Sequence, residues 1–223
     1  LIDIIEKIKF YIEYFSNKNN IFYEYKNNSF YNTVIRYSST IIEFIDFICE
    51  INLIDYNYKN TINIYHKNYS QLYELADISD IKLSKALLTY YIKEEGVCNG
   101  LIASAIYYNV FEKVLYNILP YLAWEKIIDK LGNKIIEFET ISTDERKHRW
   151  FSAKKKNNFI VIDCANKNTP SCKLTKKRKL VFKDFEKSYY LYLKIQKGET
   201  ISNSEKKSTI NKSYFFSLIY TLL

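Results

Sequence analysis

Glycine and proline are scarce in this chain, which contains only 4 and 2 of them among 223 residues. Tight turns depend on these residue types, because glycine supplies positive φ angles and proline restricts φ. A sandwich of many short strands needs a turn between each pair of strands, so this composition favours helices. Hydrophobic residues make up 48% of the sequence, which is enough to form a packed core. We therefore expect a folded protein in which helices predominate.

Apolar residues recur at helical spacing through the first half of the chain. Thr40 followed by Glu43 has the spacing of a capping box, which predicts that a helix begins there. Pro120 predicts a break between two helices, and Gly132 predicts the end of the last one. Residues 17–37 are predicted to form a loop or short strands. The predicted helices of this half cover residues 2–15, 80–94, 101–118 and 121–131, together with one that begins at Thr40 and carries apolar residues up to Phe47.

The pattern changes after Gly132 to short runs of β-branched and aromatic residues separated by polar turns, which is typical of strands. The predicted strands cover residues 135–138, 149–152, 159–162 and 179–182. Two helices are predicted to follow, over residues 184–196 and 209–223. The fold class is therefore predicted to be α+β. A mainly helical N-terminal domain, residues 1–120, precedes a small basic α+β domain, residues 134–223, with three or four short strands and two C-terminal helices.

Charge is divided unequally between these two halves. The chain has a formal net charge of +8, yet residues 1–120 contain 11 Lys and Arg against 14 Asp and Glu. Residues 121–223 contain 22 Lys and Arg against 11 Asp and Glu. A basic half indicates a polyanionic partner. The alternative is that lysine-rich turns only keep the domain soluble, because 29 Lys against 4 Arg also fits the coding bias of an AT-rich genome.

The most basic segment also contains aromatic side chains, here Trp150 and Phe151. Lys and Arg bind phosphate groups, and aromatic rings stack on unpaired bases. We therefore predict a non-catalytic nucleic-acid-binding protein of bacterial or mobile-element origin, with DNA preferred over RNA as its partner. The residues predicted to bind nucleic acid are Arg146, Lys147, His148, Arg149, Trp150, Lys154, Lys155, Lys156, Lys176, Lys177, Arg178 and Lys179.

Three alternatives stay open at this point. A metal-dependent nuclease of a defence system would need carboxylates, which Glu137 or Glu139 and Asp163 would supply. A protein-interaction adaptor or inhibitor would use the helical half, where we also expect a protein partner or a second copy of the chain. The two C-terminal helices either close a small core or form a helix-turn-helix. In that second case the base-reading residues would be Asn203, Ser204, Lys206, Lys207 or Asn211.

No catalytic residue, metal or cofactor is predicted. The four cysteines form no C-x-x-C pair and only two histidines accompany them, so a structural zinc site is not expected. Scattered cysteines without a disulfide framework are typical of reduced thiols in a cytosolic protein. No signal peptide is recognised, and the longest uncharged run, residues 96–111, is too short to cross a bilayer. We expect a cytoplasmic protein that does not bind membranes.

Several short motifs of residues 8–118 occur together in a known family. Aromatic residues open this segment, Asp55 and Tyr56 follow the second predicted helix, and residues 88–100 read LTYYIKEEGVCNG. On these residues the segment resembles the bacterial family called domain of unknown function 6508. The family motif matches here at Thr89, Glu95, Cys98 and Gly100, whereas Lys93, Gly96 and Asn99 replace the two arginines and the acid that the family favours. The resemblance implies no activity, because none is assigned to that family.

Overall fold

The structure is a computed structural model that describes residues 3–27, 33–66, 71–141, 148–202, 204–205 and 211–223. The chain divides into two units, Leu1–Leu119 and Pro120–Leu223. The predicted α+β class is confirmed, because helices occur together with one two-stranded and one four-stranded antiparallel sheet. The described helices are α1 (Ile4–Ser16), α2 (Ser39–Glu50), α3 (Tyr58–His66), the 3-10 helix η1 (Leu72–Ile78), α4 (Ile81–Glu94), α5 (Leu101–Tyr107), α6 (Val110–Leu131), α7 (Phe182–Gln196) and α8 (Lys212–Leu222). The described strands are β1 (Tyr23–Asn27), β2 (Thr33–Tyr37), β3 (Ile136–Glu139), β4 (Trp150–Lys156), β5 (Phe159–Cys164) and β6 (Arg178–Leu180).

Side-chain caps begin several of these helices. Asp3 accepts a hydrogen bond from the backbone N–H of Ile5 at 3.0 Å, at the start of α1. The prediction that Thr40 caps α2 is wrong, because Ser38 has the extended backbone that a cap requires and accepts from the N–H of Ile41. The cap of the second helix therefore lies two residues earlier than its capping-box spacing indicated.

The break predicted at Pro120 does not occur, because α6 continues through it from Val110 to Leu131. Proline in a helix interior removes one backbone hydrogen bond and crowds the preceding turn, which normally ends the helix. Here buried side chains lie on both sides of it, including Leu119 and Ala123, so packing holds the helical conformation. The interruption lies earlier instead, between α5 and α6, where Asn109 has a φ of 57°.

Aromatic side chains form the core of the first unit. Phe44 of α2 contacts Tyr11 and Phe15 of α1, and each pair of ring centroids is 5.0 Å apart. Phe111, near the start of α6, contacts Phe44 at 5.2 Å and Phe15 at 5.3 Å. All four rings are almost completely buried. Aromatic pairs at such distances stabilise a core beyond their buried area, and they add here to the burial of the aliphatic side chains of this unit.

The second unit consists of the last part of α6, the sheet and the two C-terminal helices. Its strands follow the order β3-β4-β5-β6, and every neighbouring pair is antiparallel. Phe185 of α7 contacts Trp124 of α6 at 5.1 Å and Phe215 of α8 at 5.8 Å. Phe151 of β4 contacts Tyr214 of α8 at 4.8 Å. One face of the sheet therefore belongs to the core of this unit.

Among the described helices of the whole chain, none combines the length and the apolar character needed to cross a membrane.

Candidate nucleic-acid interface

Strand alternation gives the four-stranded sheet two different faces. Side chains of the core face are buried, and Phe151, Ile160, Ile162 and Leu180 are each 0% exposed. The side chains between them point to the opposite face, which we call the outer face. Its members are Glu137 and Glu139 of β3, Trp150, Ser152, Lys154 and Lys156 of β4, Phe159, Val161 and Asp163 of β5, and Lys179 of β6.

Lysine side chains and apolar side chains meet on one half of the outer face. Lys154 is directly opposite Val161, which is in turn opposite Lys179. Lys156 is directly opposite Phe159. Opposite residues of antiparallel strands have their side chains on the same face, so these five residues lie close together. We call them the lysine rows.

The Lys179 ammonium interacts with the outer face itself. Its Nζ lies 4.2 Å from the centroid of the Phe159 ring, a cation–π contact. Lys154 and Lys156 are exposed, and among the described residues neither has a carboxylate within salt-bridge distance. Their positive charge is therefore available to an anion in solvent.

The other half of the outer face is an acidic row that forms ion pairs and hydrogen bonds. Glu137 is opposite Ser152, which is opposite Asp163. Lys177, directly before β6, places its Nζ 2.9 Å from Oδ2 of Asp163. This Lys177 contact, together with the N–H of Cys164, holds the pKa of Asp163 below its usual value. A groove of about 500 Å³ runs over both halves and is lined by Ile135, Ser152, Lys154, Lys156, Val161, Asp163, Cys164, Asn166 and Lys177.

The Glu137 carboxylate is held by the loop that follows β5. Its two oxygens accept hydrogen bonds from the backbone N–H groups of Asn166, Lys167 and Asn168 at 2.7–3.3 Å, and from the Asn168 side chain at 2.8 Å. Partial desolvation opposes ionisation of Glu137, but these N–H groups outweigh it and lower the pKa of the carboxyl. Three successive N–H groups directed at one anion form a backbone nest. Glu137 therefore anchors this loop to the sheet.

These contacts leave the nuclease alternative without a metal site at the predicted carboxylates. Glu137 is bound by the loop, Asp163 is bound by Lys177, and the strand of Ser152 lies between them. Their Cα atoms are consequently about 10 Å apart. In the part of the chain that the structure describes, no three His, Cys, Asp or Glu side chains come together as metal ligands.

The remaining predicted basic residues do not join the lysine rows. Lys155 and Arg178 occupy core-face positions, where Lys155 Nζ lies 4.0 Å from Asp129 and the Arg178 guanidinium hydrogen-bonds to Asn211 at 2.6 Å. Phe151 is completely buried, so its predicted stacking on a base is wrong. Lys176 is exposed in the bend before β6.

The N-terminal end of the predicted basic segment lies at the far end of β4. His148 Nδ1 is 2.7 Å from the carbonyl oxygen of Thr140, and Arg149 Nη1 donates to the carbonyl oxygen of Ser171 at 3.5 Å. Trp150 is on the outer face, but the acidic row separates it from the lysine rows. Arg146 and Lys147 lie outside the described residues.

The predicted family-motif residues stabilise the first unit through hydrogen bonds. Glu95 accepts from the Tyr37 hydroxyl at 2.7 Å and from the N–H groups of Gly100 and Ile102, so its carboxylate caps the start of α5. Burial, then the hydrogen bond to Glu95, raises the pKa of Tyr37. Gly100 itself has a φ of 98°, a conformation that favours glycine.

Thr89 and Cys98 complete the motif. The buried Thr89 hydroxyl accepts from the N–H of Asp55 at 2.8 Å and donates to the carbonyl of Lys85 at 2.8 Å. Cys98 is exposed, and its N–H donates to the carbonyl of Glu94. Three of the four motif residues therefore hold together the segment between α2 and α5, which is a structural role.

The described residues of α8 favour the prediction that the two C-terminal helices close a core. Residues 214–219 of α8 are all buried, as expected if the two helices close a core. Asn211 accepts the hydrogen bond from Arg178, and Ser204 is exposed. The predicted base-reading residues Asn203, Lys206 and Lys207 lie outside the described part of the chain.

Sequence reasoning did not include Ile135, Phe159 and Val161 among the candidate contacts. Ile135 is 64% exposed and lines the groove beside Lys154. The sequence offers no local signal for these contacts, because residues 154–161 read KKKNNFIV, a polar run followed by an apolar run. The pairing of β4 with β5 brings these residues next to the lysines, and that pairing is a property of the fold.

Comparisons of the chain with protein-family models, with curated proteins and with solved structures give no match. The resemblance of residues 8–118 to the domain of unknown function 6508 therefore stays a prediction based on its motif residues.

Proposed function

We propose that this chain is a non-catalytic nucleic-acid-binding protein whose phosphate contacts come from the lysine rows. The proposal is supported above all by one arrangement, in which Lys154, Lys156 and Lys179 surround apolar side chains on the outer face. Ammonium groups attract phosphate oxygens, and each contact releases counterions from the nucleic acid. Two carboxylates of this face already have partners, because Asp163 forms an ion pair with Lys177 and Glu137 is bound by the 166–168 loop.

Salt dependence distinguishes such an interface from a lysine-rich surface that only confers solubility. The full chain is titrated against fluorescently labelled DNA, both single-stranded and duplex, while the salt concentration is varied. Replacement of Lys154, Lys156 and Lys179 by Gln is expected to reduce the slope of log affinity against log salt by about 2 to 3. Affinity at low salt falls with it, because three phosphate contacts are lost.

A matched variant removes the same charge from another surface of the same unit. Lys183, Lys187 and Lys197 are exposed residues of α7 and its C-cap, and their replacement by Gln leaves the outer face intact. This control variant is expected to keep the slope of the natural sequence. The proposal is wrong if the natural sequence shows no salt-dependent binding to either form of DNA, or if both triple variants weaken binding equally.

A further inference from the structure

The outer face is too wide to enter a groove of duplex DNA. Three strand spacings separate β3 from β6, a distance of about 14 Å before side chains are added. The major groove is about 12 Å wide and accepts an α-helix or a two-stranded ribbon. A duplex could therefore touch the outer face only with its phosphate backbone, whereas an extended single strand can lie along it.

The apolar side chains of the outer face favour a ligand with accessible bases. Val161 and Phe159 lie among the three lysines. Ile135, directly before β3, is 64% exposed and lines the groove with Lys154 and Lys156. Phosphate groups gain nothing from such neighbours, but the faces of unpaired bases do, because they pack against apolar and aromatic surfaces. In a duplex these base faces are already covered by their neighbours in the stack.

Lys179 can bind a phosphate group of such a ligand, and Phe159 can bind one of its bases. The ammonium of Lys179 now lies over the Phe159 ring. Its flexible four-carbon stem allows the charge to move to a nearby phosphate, which would leave the ring for a base. Lys154 and Lys156 are two residues apart in one strand, about 7 Å, and each is directly opposite an apolar residue of β5.

We propose that the ligand of the outer face is single-stranded nucleic acid, with phosphates on Lys154, Lys156 and Lys179 and bases on Phe159, Val161 and Ile135. This inference rests on the proposed function and specifies its ligand. Single-stranded DNA and single-stranded RNA share the required chemistry, and the experiment includes both.

The test compares four probes with the full chain at about 50 mM and about 200 mM salt. The probes are oligothymidylate, oligouridylate, a DNA duplex of equal length, and inorganic polyphosphate, which has charge but no bases. Both single strands are expected to bind about tenfold or more tightly than the duplex. Phe159→Leu is expected to weaken single-strand binding about fivefold to a hundredfold, while duplex and polyphosphate affinities stay the same.

Tyr220→Leu provides the aromatic control, because Tyr220 is 71% exposed on α8, which packs in the core of the unit. It is expected to leave all four affinities unchanged. Circular dichroism shows whether Phe159→Leu folds. If it does not fold, Ile135→Thr is used instead, because this substitution of an exposed residue removes apolar surface without opening the core. Ile135→Thr is likewise expected to weaken single-strand binding and to leave the duplex and polyphosphate affinities unchanged.

Two results separate the inference from the proposed function. If the duplex binds as tightly as the single strands, or if Phe159→Leu weakens polyphosphate as much as it weakens the oligonucleotides, the single-strand inference is wrong and phosphate binding stands. If no nucleic acid binds in a salt-dependent way, the proposed function is wrong, and the inference falls with it.

Discussion

At the scale of single residues, the Glu95 carboxylate and Gly100 together define where α5 begins in the first unit. Glu95 binds the Tyr37 hydroxyl and the N–H groups of Gly100 and Ile102. Gly100 approaches β2 so closely that an added Cβ would lie 3.1 Å from Cδ1 of Ile35. The segment between α4 and α5 is therefore specified by hydrogen bonds and by backbone conformation together.

The two glycines of this segment make a matched pair for substitution. Gly100→Ala is expected to lower the free energy of unfolding by about 1–3 kcal/mol, because alanine is strained at a φ of 98° and crowds Ile35. Gly96→Ala is expected to have no such cost, because nothing lies within 4 Å of an added Cβ. Urea denaturation of both variants measures the difference. Equal losses of stability would contradict the assigned role of Gly100.

The motif singles out Thr89, Glu95 and Gly100, but it does not predict which residues they contact. Glu95 hydrogen-bonds to Tyr37, which lies 58 residues earlier in the chain, and Thr89 binds the N–H of Asp55, which lies 34 residues earlier. Such pairings depend on how the helices pack, and no local pattern encodes them.

At the scale of secondary-structure elements, Ser217 joins the chain after β3 to α8. Its hydroxyl accepts from the N–H of Ile141 at 2.8 Å and donates to the carbonyl of Ser213 at 2.8 Å. Ser188 of α7 is equally buried, but its hydroxyl donates to the Asp184 carbonyl within its own helix. Two buried serines of one unit thus differ in whether they connect separate elements.

Substitution by alanine should distinguish these two roles. Ser217→Ala leaves the Ile141 N–H without the acceptor it has now, so we expect a loss of about 1–3 kcal/mol in the free energy of unfolding. Ser188→Ala should cost less than about 1 kcal/mol, since only a bond within one helix is lost. Chemical denaturation followed by circular dichroism measures both, and a larger loss for Ser188→Ala would contradict this assignment.

Elements were predictable where the apolar pattern was strong and local. The strands β3, β5 and β6 and the helices α1, α4 and α7 occur close to their predicted positions, whereas β4 continues to Lys156, four residues beyond its predicted end at residue 152. The prediction failed at Pro120, where packing overrides the usual effect of proline. It also missed α3, because this helix buries only Thr61 and Ile62 and therefore lacks a wide apolar stripe.

At the scale of the whole molecule, interactions of ionised carboxylates link stability to pH. The pKa of Glu137 and that of Asp163 are lowered, and hydrogen bonds from Lys194 and Ser202 lower the pKa of Glu205 to about 2. A carboxyl whose pKa is lower in the folded state stabilises the fold above its unfolded pKa. That contribution is lost as the pH falls through the lower, folded pKa.

We therefore expect the urea midpoint to stay nearly constant from about pH 7 to pH 5, and to fall between about pH 4.5 and pH 2. The triple variant Glu137→Gln, Asp163→Asn and Glu205→Gln should show a smaller fall, because part of the linkage is removed. Replacement of the exposed residues Glu13, Glu43 and Glu125 by Gln is the control. A midpoint that rises in acid would contradict the assignment of these contacts.

The division of charge was visible in the sequence, but its distribution over the sheet was not. Consecutive lysines 154–156 alternate between faces, so Lys154 and Lys156 share the outer face while Lys155 lies on the core face. Alternation follows from strand geometry, but the predicted strand ended at residue 152, before these lysines. Which strands pair, and in which register, depends on contacts across the sheet, so the combination of Lys154 with Val161 and Lys179 required the fold.

The backbone N–H groups of residues 166–168 form an anion-binding nest, and the Glu137 carboxylate of the same chain already occupies it. Because Glu137 already fills that fixed cradle, an incoming polyanion finds no rigid backbone donors there and must rely on mobile ammonium groups. Mobile point charges discriminate poorly among base sequences, so such a surface would bind single strands of equal length but different base sequence with similar affinity.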